Sequence, residues 1–379
     1  MTARRLAVLL AAAAVLAGCS RSRCPVPCPT APAPAPAPAA AGPALPSPAV
    51  PHDPFPGEEK HLRNIRQLTF GGENAEAYWS FDGERVVFQA TRPPYVADQI
   101  FTMRPDGSDV RLVSTGMGRT TCAFFLPGDR RLLYASTHAQ GYEPPKPPDR
   151  AAGYVWGLFE YDIYACDLTG QELRPLVAGP GYDAEATVSP TGDRIVFTSS
   201  RDGDVEIYTC AVDGSDVRRI TDAVGYDGGA VFSPDGKKLA WRAQRPADDA
   251  GKEAFRALLA KGMVRPSQLE LWVADVDGKN ARQITSNGKA NFGPFFTHDG
   301  QHLIFSSNLG DPKGRSFDLW MIGIDGEGLE RVTNFSNDAH DDFDGFPMFS
   351  PDGKHLLWCS NRHNGRPHET NVFVADWIP

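Results

Sequence analysis

Short apolar runs separated by polar turns fill the chain beyond residue 62, and the turns repeat. Ser80-Phe81-Asp82-Gly83, Leu126-Pro127-Gly128-Asp129, Ser189 to Gly192, Ser233-Pro234-Asp235-Gly236, Thr297 to Gly300 and Ser350-Pro351-Asp352-Gly353 each stand between two apolar segments. Successive copies lie 46, 63, 44, 64 and 53 residues apart, so the unit is about 45 residues, one four-stranded propeller blade. Most units carry a second turn, such as Pro105-Asp106-Gly107 or Val212-Asp213-Gly214. Pro presets φ, Asp bonds its own backbone and Gly accepts φ > 0, so these Asp residues are read as structural.

One unit shows the strand order: Gly228 to Ser233 as strand a, Lys238 to Arg242 as b, Glu270 to Asp275 as c and Ala281 to Thr285 as d. The sixth unit has a, b and c (Gly345 to Phe349, His355 to Cys359, Asn371 to Asp376) but no d. Ile65-Arg66-Gln67-Leu68-Thr69 matches the d strands Arg218 to Thr221 and Ala281 to Thr285, so the N-terminal segment is predicted to close the ring and remove a free sheet edge. The expected fold is all-β: a six-bladed β-propeller closed by an N-terminal strand. A short helix interrupts the fourth blade, capped by Asp249, ending at Gly262 and carrying Phe255, Leu258 and Leu259 on one face.

The Phe-Ser-Pro-Asp-Gly turn, the aromatic strand typified by Glu206-Ile207-Tyr208, the Asp-Gly turn and the Arg-x-Ile/Leu/Val-Thr strand together resemble the TolB-like β-propeller from about residue 63 to the C-terminus. In place of the α/β domain that precedes the propeller in TolB itself stands a very different N-terminal segment. The resemblance implies a periplasmic propeller that contacts proteins of the cell envelope, with partner peptides entering its channel.

That segment opens with Arg4, Arg5 and an apolar run to Gly18, a signal peptide by length and flanks. Leu16-Ala17-Gly18-Cys19 resembles a lipobox, with Cys19 acylated and the mature chain, residue 19 onward, anchored to a membrane. Ser20 in the next position directs enteric lipoproteins to the outer membrane. Residues 19–62 are read as a spacer, largely Pro and Ala from Pro25 to Pro51, whose twenty-seven residues reach roughly 80 Å as polyproline II. Cys24 and Cys28 could pair there, whereas Cys166 and Cys210, on equivalent strands of neighbouring blades, are too far apart and read as small buried groups.

The 379 residues carry a formal charge of -9, and because residues 1–62 hold five Lys/Arg against three Asp/Glu, the propeller carries -11. Nucleic acid is therefore not an expected partner, cations are, and a monomer is expected. No G-x-S-x-G, H-E-x-x-H, P-loop or dinucleotide fingerprint occurs, so no catalytic residue is assigned. The alternative is a metal-dependent, glycan-active enzyme resembling the oligogalacturonate-lyase propeller, its metal held by the loop histidines His138, His340, His363 and His368.

Two further sets of residues stand out. Six positions before each strand-a turn stand Asn74, Thr120, Asp183, Asp227, Asn291 and Asp344, all polar, where strand a enters the channel. They are expected to ring one mouth and to hold Ca²⁺, Mg²⁺ or a cationic segment of a partner, or else simply to hydrate the channel. The second blade is lengthened between strands b and c by a loop bearing Tyr142, Tyr154, Trp156 and Phe159, a candidate surface for an envelope protein.

Overall fold

The repeated turn works as its residue types dictate. Ser80 Oγ donates to Asp82 Oδ1 at 2.6 Å and accepts from Arg85 N at 2.9 Å, while the same Asp82 oxygen accepts from Glu84 N at 2.9 Å. The three bonds recur at Ser233/Asp235, Thr297/Asp299 and Ser350/Asp352. The Thr that ends each Arg-x-Ile/Leu/Val-Thr segment has a comparable task. Its hydroxyl accepts from the strand-c amide as the outer strand peels away: Ile207 N to Thr221 at 2.9 Å, Leu271 N to Thr285 at 2.9 Å, Leu319 N to Thr333 at 2.8 Å and Val372 N to Thr69 at 2.8 Å. A side-chain acceptor replaces a ladder carbonyl there, so the buried amide stays satisfied.

The computed structural model describes residues 49–149, 153–335, 341–364, 366 and 368–379. The lipobox with Cys19, the cysteines Cys24 and Cys28, most of the Pro/Ala tract and His340 lie outside the described residues. The described residues form six blades, each an antiparallel sheet in the order a-b-c-d. Their strands a are Glu73–Trp79, Thr120–Phe125, Asp183–Val188, Tyr226–Phe232, Asn291–Phe296 and Asp344–Phe349. Strands b and c are buried along nearly their whole length, as in Val86–Thr91 and Gln99–Met103, because neighbouring blades cover both faces of each sheet. Trp241 and Trp358 fill the spaces between blades. The four described cysteines are free and buried, including Cys166 and Cys210.

The ring closes where the repeats predict. β2 (Leu62–Gln67) pairs with the last strand, Asn371–Trp377, and serves as strand d of blade six. Residues 50–62, assigned to the spacer by their composition, belong instead to the folded body. β1 (Val50–His52) adds a fifth strand outside β2, and Glu58 is fully buried. The helix of blade four, α1 (Asp249–Leu259), is capped one residue earlier than expected, by Asp248, whose side chain accepts from Gly251 N at 2.7 Å. Among the described residues, no helix is long and apolar enough to cross a membrane.

Candidate functional site

The six polar residues at the start of strand a do not form a ring of free oxygens. All are at most 1% exposed, and none lines the channel cavity. Each is engaged within the blades. Asn74 Oδ1 accepts from Arg92 at 2.7 Å, Asp183 from Arg201 at 3.0 Å, Asp227 from both Nη atoms of Arg245 at 2.5 Å and from Trp241 Nε1 at 2.6 Å, and Asp344 from Arg362 at 2.8 Å. Thr120 donates to Asp98 O at 2.9 Å, and Asn291 accepts from Ser307 at 2.7 Å. The arginines stand one or two residues past strand b, and they lie over aromatic rings of their own blades: Phe88 and Phe101 under Arg92, Phe197 and Tyr208 under Arg201, Trp272 under Arg245. This clasp of a buried acid or amide, an arginine and aromatic rings ties strands a, b and c together. Among the described residues no group of three or more His, Cys, Asp or Glu side chains is placed to hold a metal ion.

A bulge explains the displacement. In every strand a the register with strand b shifts after the second or third residue. Two positions beyond each clasp residue stands one with left-handed φ: Glu76, Cys122, Glu185, Gly229, Gly293 and Phe346, with φ between 49° and 62°. These bulge residues face the channel, and all six line its cavity. Their amides are held from the blade before. Cys122 N donates to Gln89 Oε1 at 3.0 Å, and Gly229 N to Thr198 Oγ1 at 3.1 Å and Glu185 Oε2 at 3.0 Å. Strict alternation, the only guide the sequence offers, cannot show a bulge, although Gly228-Gly229 and Gly293-Pro294 inside apolar strands were a signal for one.

The channel wall mixes apolar surface with a few charged groups. Arg242, from strand b of blade four, pairs with Glu185 of blade three and donates to Tyr226 Oη at 2.8 Å. Gly229 makes this possible, since a Cβ there would fall on the Arg242 guanidinium. Thr198 donates to the other Glu185 oxygen at 2.7 Å. Glu76 faces the cavity and accepts from Tyr78 Oη at 3.3 Å, and burial pushes its carboxyl up to about 7, against the bonds from Cys122 and Tyr78. The cavity thus holds one carboxylate that is matched by a guanidinium and one that is not.

The lengthened loops lie over the end of the channel where strand a begins. Trp156 meets Tyr226 at 6.2 Å and lies under the Arg242 guanidinium at 5.3 Å. Phe159 packs on Arg119 and Tyr161. Tyr142 and Tyr154 face outward, 65% and 63% exposed. The expected aromatic surface is therefore divided into two outward tyrosines and two inward rings. Among the described residues, the candidate histidines are not gathered into a metal-holding group. His138 Nδ1 bonds Ser136 at 2.8 Å with its ring against Tyr164, His363 stacks on His52 at 4.1 Å, and His368 is exposed.

Residues 159–253 match the family model of the TolB beta propeller domain. A segment of 97 residues is 42% identical to an uncharacterized protein of Agrobacterium fabrum, covering 26% of this chain and 30% of that protein. Among solved structures, the putative TolB from Agrobacterium tumefaciens superposes with a TM-score of 0.55 at 18% identity, covering 83% of this chain and 97% of that one. TolB from Acinetobacter baumannii gives 0.51 at 18% identity over 81% of this chain and 64% of that one. An oligogalacturonate lyase in complex with manganese gives 0.51 at 13% identity, covering 88% and 97%. The matches thus span less than two thirds of the Agrobacterium fabrum protein and of the Acinetobacter TolB.

Proposed function

We propose that this chain, a TolB-like six-bladed β-propeller, is a protein-binding scaffold of the cell envelope that takes a segment of a partner protein into its central channel. The observation that carries the reading is the channel wall itself, where apolar surface from Tyr78, Phe295 and Phe346 surrounds the matched Glu185 and Arg242 and the unmatched Glu76. Such a wall suits an extended segment with an apolar face and one cationic group. The signal peptide, the acylated Cys19 and the Pro/Ala spacer would hold the propeller at a distance from the membrane, facing the periplasm, and the exposed Tyr142 and Tyr154 would add contacts outside the channel.

A photo-crosslinking amino acid placed at Tyr78 in cells tests the channel. One dominant protein adduct, lost in the Glu76→Lys variant, is expected; adducts no different from those of an outer-strand position overturn the reading. Cell fractionation of Cys19→Ala tests the anchor, which predicts release into the soluble fraction.

A further inference from the structure

The two lengthened loops meet each other. Trp156–Gly157 of blade two and Met263–Val264 of blade four pair as a two-stranded antiparallel ribbon outside every blade sheet. Leu158 N donates to Gly262 O at 2.7 Å beside it. Beneath the ribbon, Phe255 of α1 and Val264 join Tyr226 and Phe292 in one apolar cluster, against which Trp156 and the channel residue Phe346 also pack. Tyr226 and Phe292 are the first or second residues of their strands a, so this cluster sits on the channel end from which those strands start.

We propose that the paired loops form a lid over this end of the channel, latched by Trp156 on Arg242, and that the lid controls entry to the cavity. The proposal rests on the channel being the binding site. The contact chain is continuous: Trp156 lies on the guanidinium at 5.3 Å, that guanidinium is bound to Glu185, and Glu185 lines the cavity. The ribbon is two residues long on each side, so few backbone bonds hold it. Segments held so sparsely open far more readily than the blade cores. Lifting Trp156 uncovers Arg242 and Tyr226, so opening the lid changes both the width and the charge of the mouth.

Cys122 supplies a reporter because it lines the cavity, whereas Cys166, Cys210 and Cys359 are fully buried within and between blades. Full-chain protein is pulsed with N-ethylmaleimide, and modification of each cysteine is followed by peptide mass spectrometry. Positions 157 and 263 face each other without a hydrogen bond between them, a geometry that a disulfide spans, so Gly157→Cys with Met263→Cys fastens the ribbon. The oxidised double variant is expected to label Cys122 at least about tenfold more slowly than its reduced form, and Trp156→Ala to label it about tenfold faster, the effect of losing one partly desolvated cation–π contact. In both, the three blade cysteines should keep their rates. Equal Cys122 labelling in the oxidised and reduced forms shows entry from elsewhere and overturns the lid. A Trp156→Ala increase shared by all four cysteines overturns the latch, because it reports loosening of the blades. Crosslinking from Tyr78 is scored separately, so a working lid without a captured partner counts against the binding reading alone.

Discussion

Glu58 and Arg362 lie 304 residues apart and share two hydrogen bonds, of 3.0 and 3.1 Å, with neither side chain exposed. Arg362 also donates to Asp344 at 2.8 Å and lies over the rings of Trp358, Phe373, Phe55 and Phe335. In blade six, then, the clasp recruits a second carboxylate from the segment ahead of β2. Arg362→Met strands two buried acids and is expected to destabilise the fold by about 3–5 kcal/mol. Glu58→Gln leaves Asp344 to balance the guanidinium and should cost about 1–3 kcal/mol. Urea unfolding midpoints of the two variants would check the order.

Ring closure and this brace are separable. Deleting residues 62–70 bares the edge of Asn371–Trp377, and is expected to lower the melting temperature by more than about 5 °C and to produce oligomers. A chain truncated to begin at residue 62 loses Glu58 and β1 but keeps β2 over the edge of Asn371–Trp377, so it should melt earlier while remaining monomeric. Light scattering coupled to size exclusion distinguishes the two.

Glu76 makes stability fall with rising pH. Its carboxyl is lifted from the ordinary 4.5 to about 7, chiefly by burial, so between those values the folded state keeps a proton that the unfolded chain has released. The folded state loses ground as pH climbs through that window and stays disfavoured above it. Glu76→Gln should therefore unfold like the parent near pH 4.5 and be more stable at pH 8, by on the order of 3 kcal/mol. Denaturant titrations of both proteins at the two pH values measure the difference.

Gly229 offers a test of the channel's architecture. Ala there must adopt φ near 62° and displace Arg242 from Glu185, whereas Gly236, at φ 70°, has open space where a Cβ would stand. Gly229→Ala is expected to cost about 2–4 kcal/mol and Gly236→Ala about 1 kcal/mol, the strain of a left-handed Ala alone. Thermal melts of the pair separate strain from collision.

The blades were legible because turn chemistry is local: Ser-x-Asp-Gly forms its bonds within five residues, and its spacing counts the units. The closing strand could be read for the same reason, as Thr69 repeats the task of Thr221 and Thr285. The channel could not. Asp183 and Asp227 are polar where the strand begins, yet their partners Arg201 and Arg245 lie 18 residues on, and only the fold shows that those arginines turn back. Glu58 was equally hidden, its acid set in a stretch whose prolines signalled an unfolded tether.

The bulge in each strand a has an evolutionary consequence. It lifts one side chain per blade out of the sheet while the clasp before it and the apolar strand after it keep their places. Four of the six sites, Glu76, Cys122, Glu185 and Phe346, already carry a side chain at that left-handed φ, whereas the Arg242 guanidinium holds Gly229 to glycine, so one scaffold displays acid, thiol and aromatic groups side by side. A propeller built this way can change what it accepts through its centre by exchanging single residues, while its blades continue to fold by the same rules.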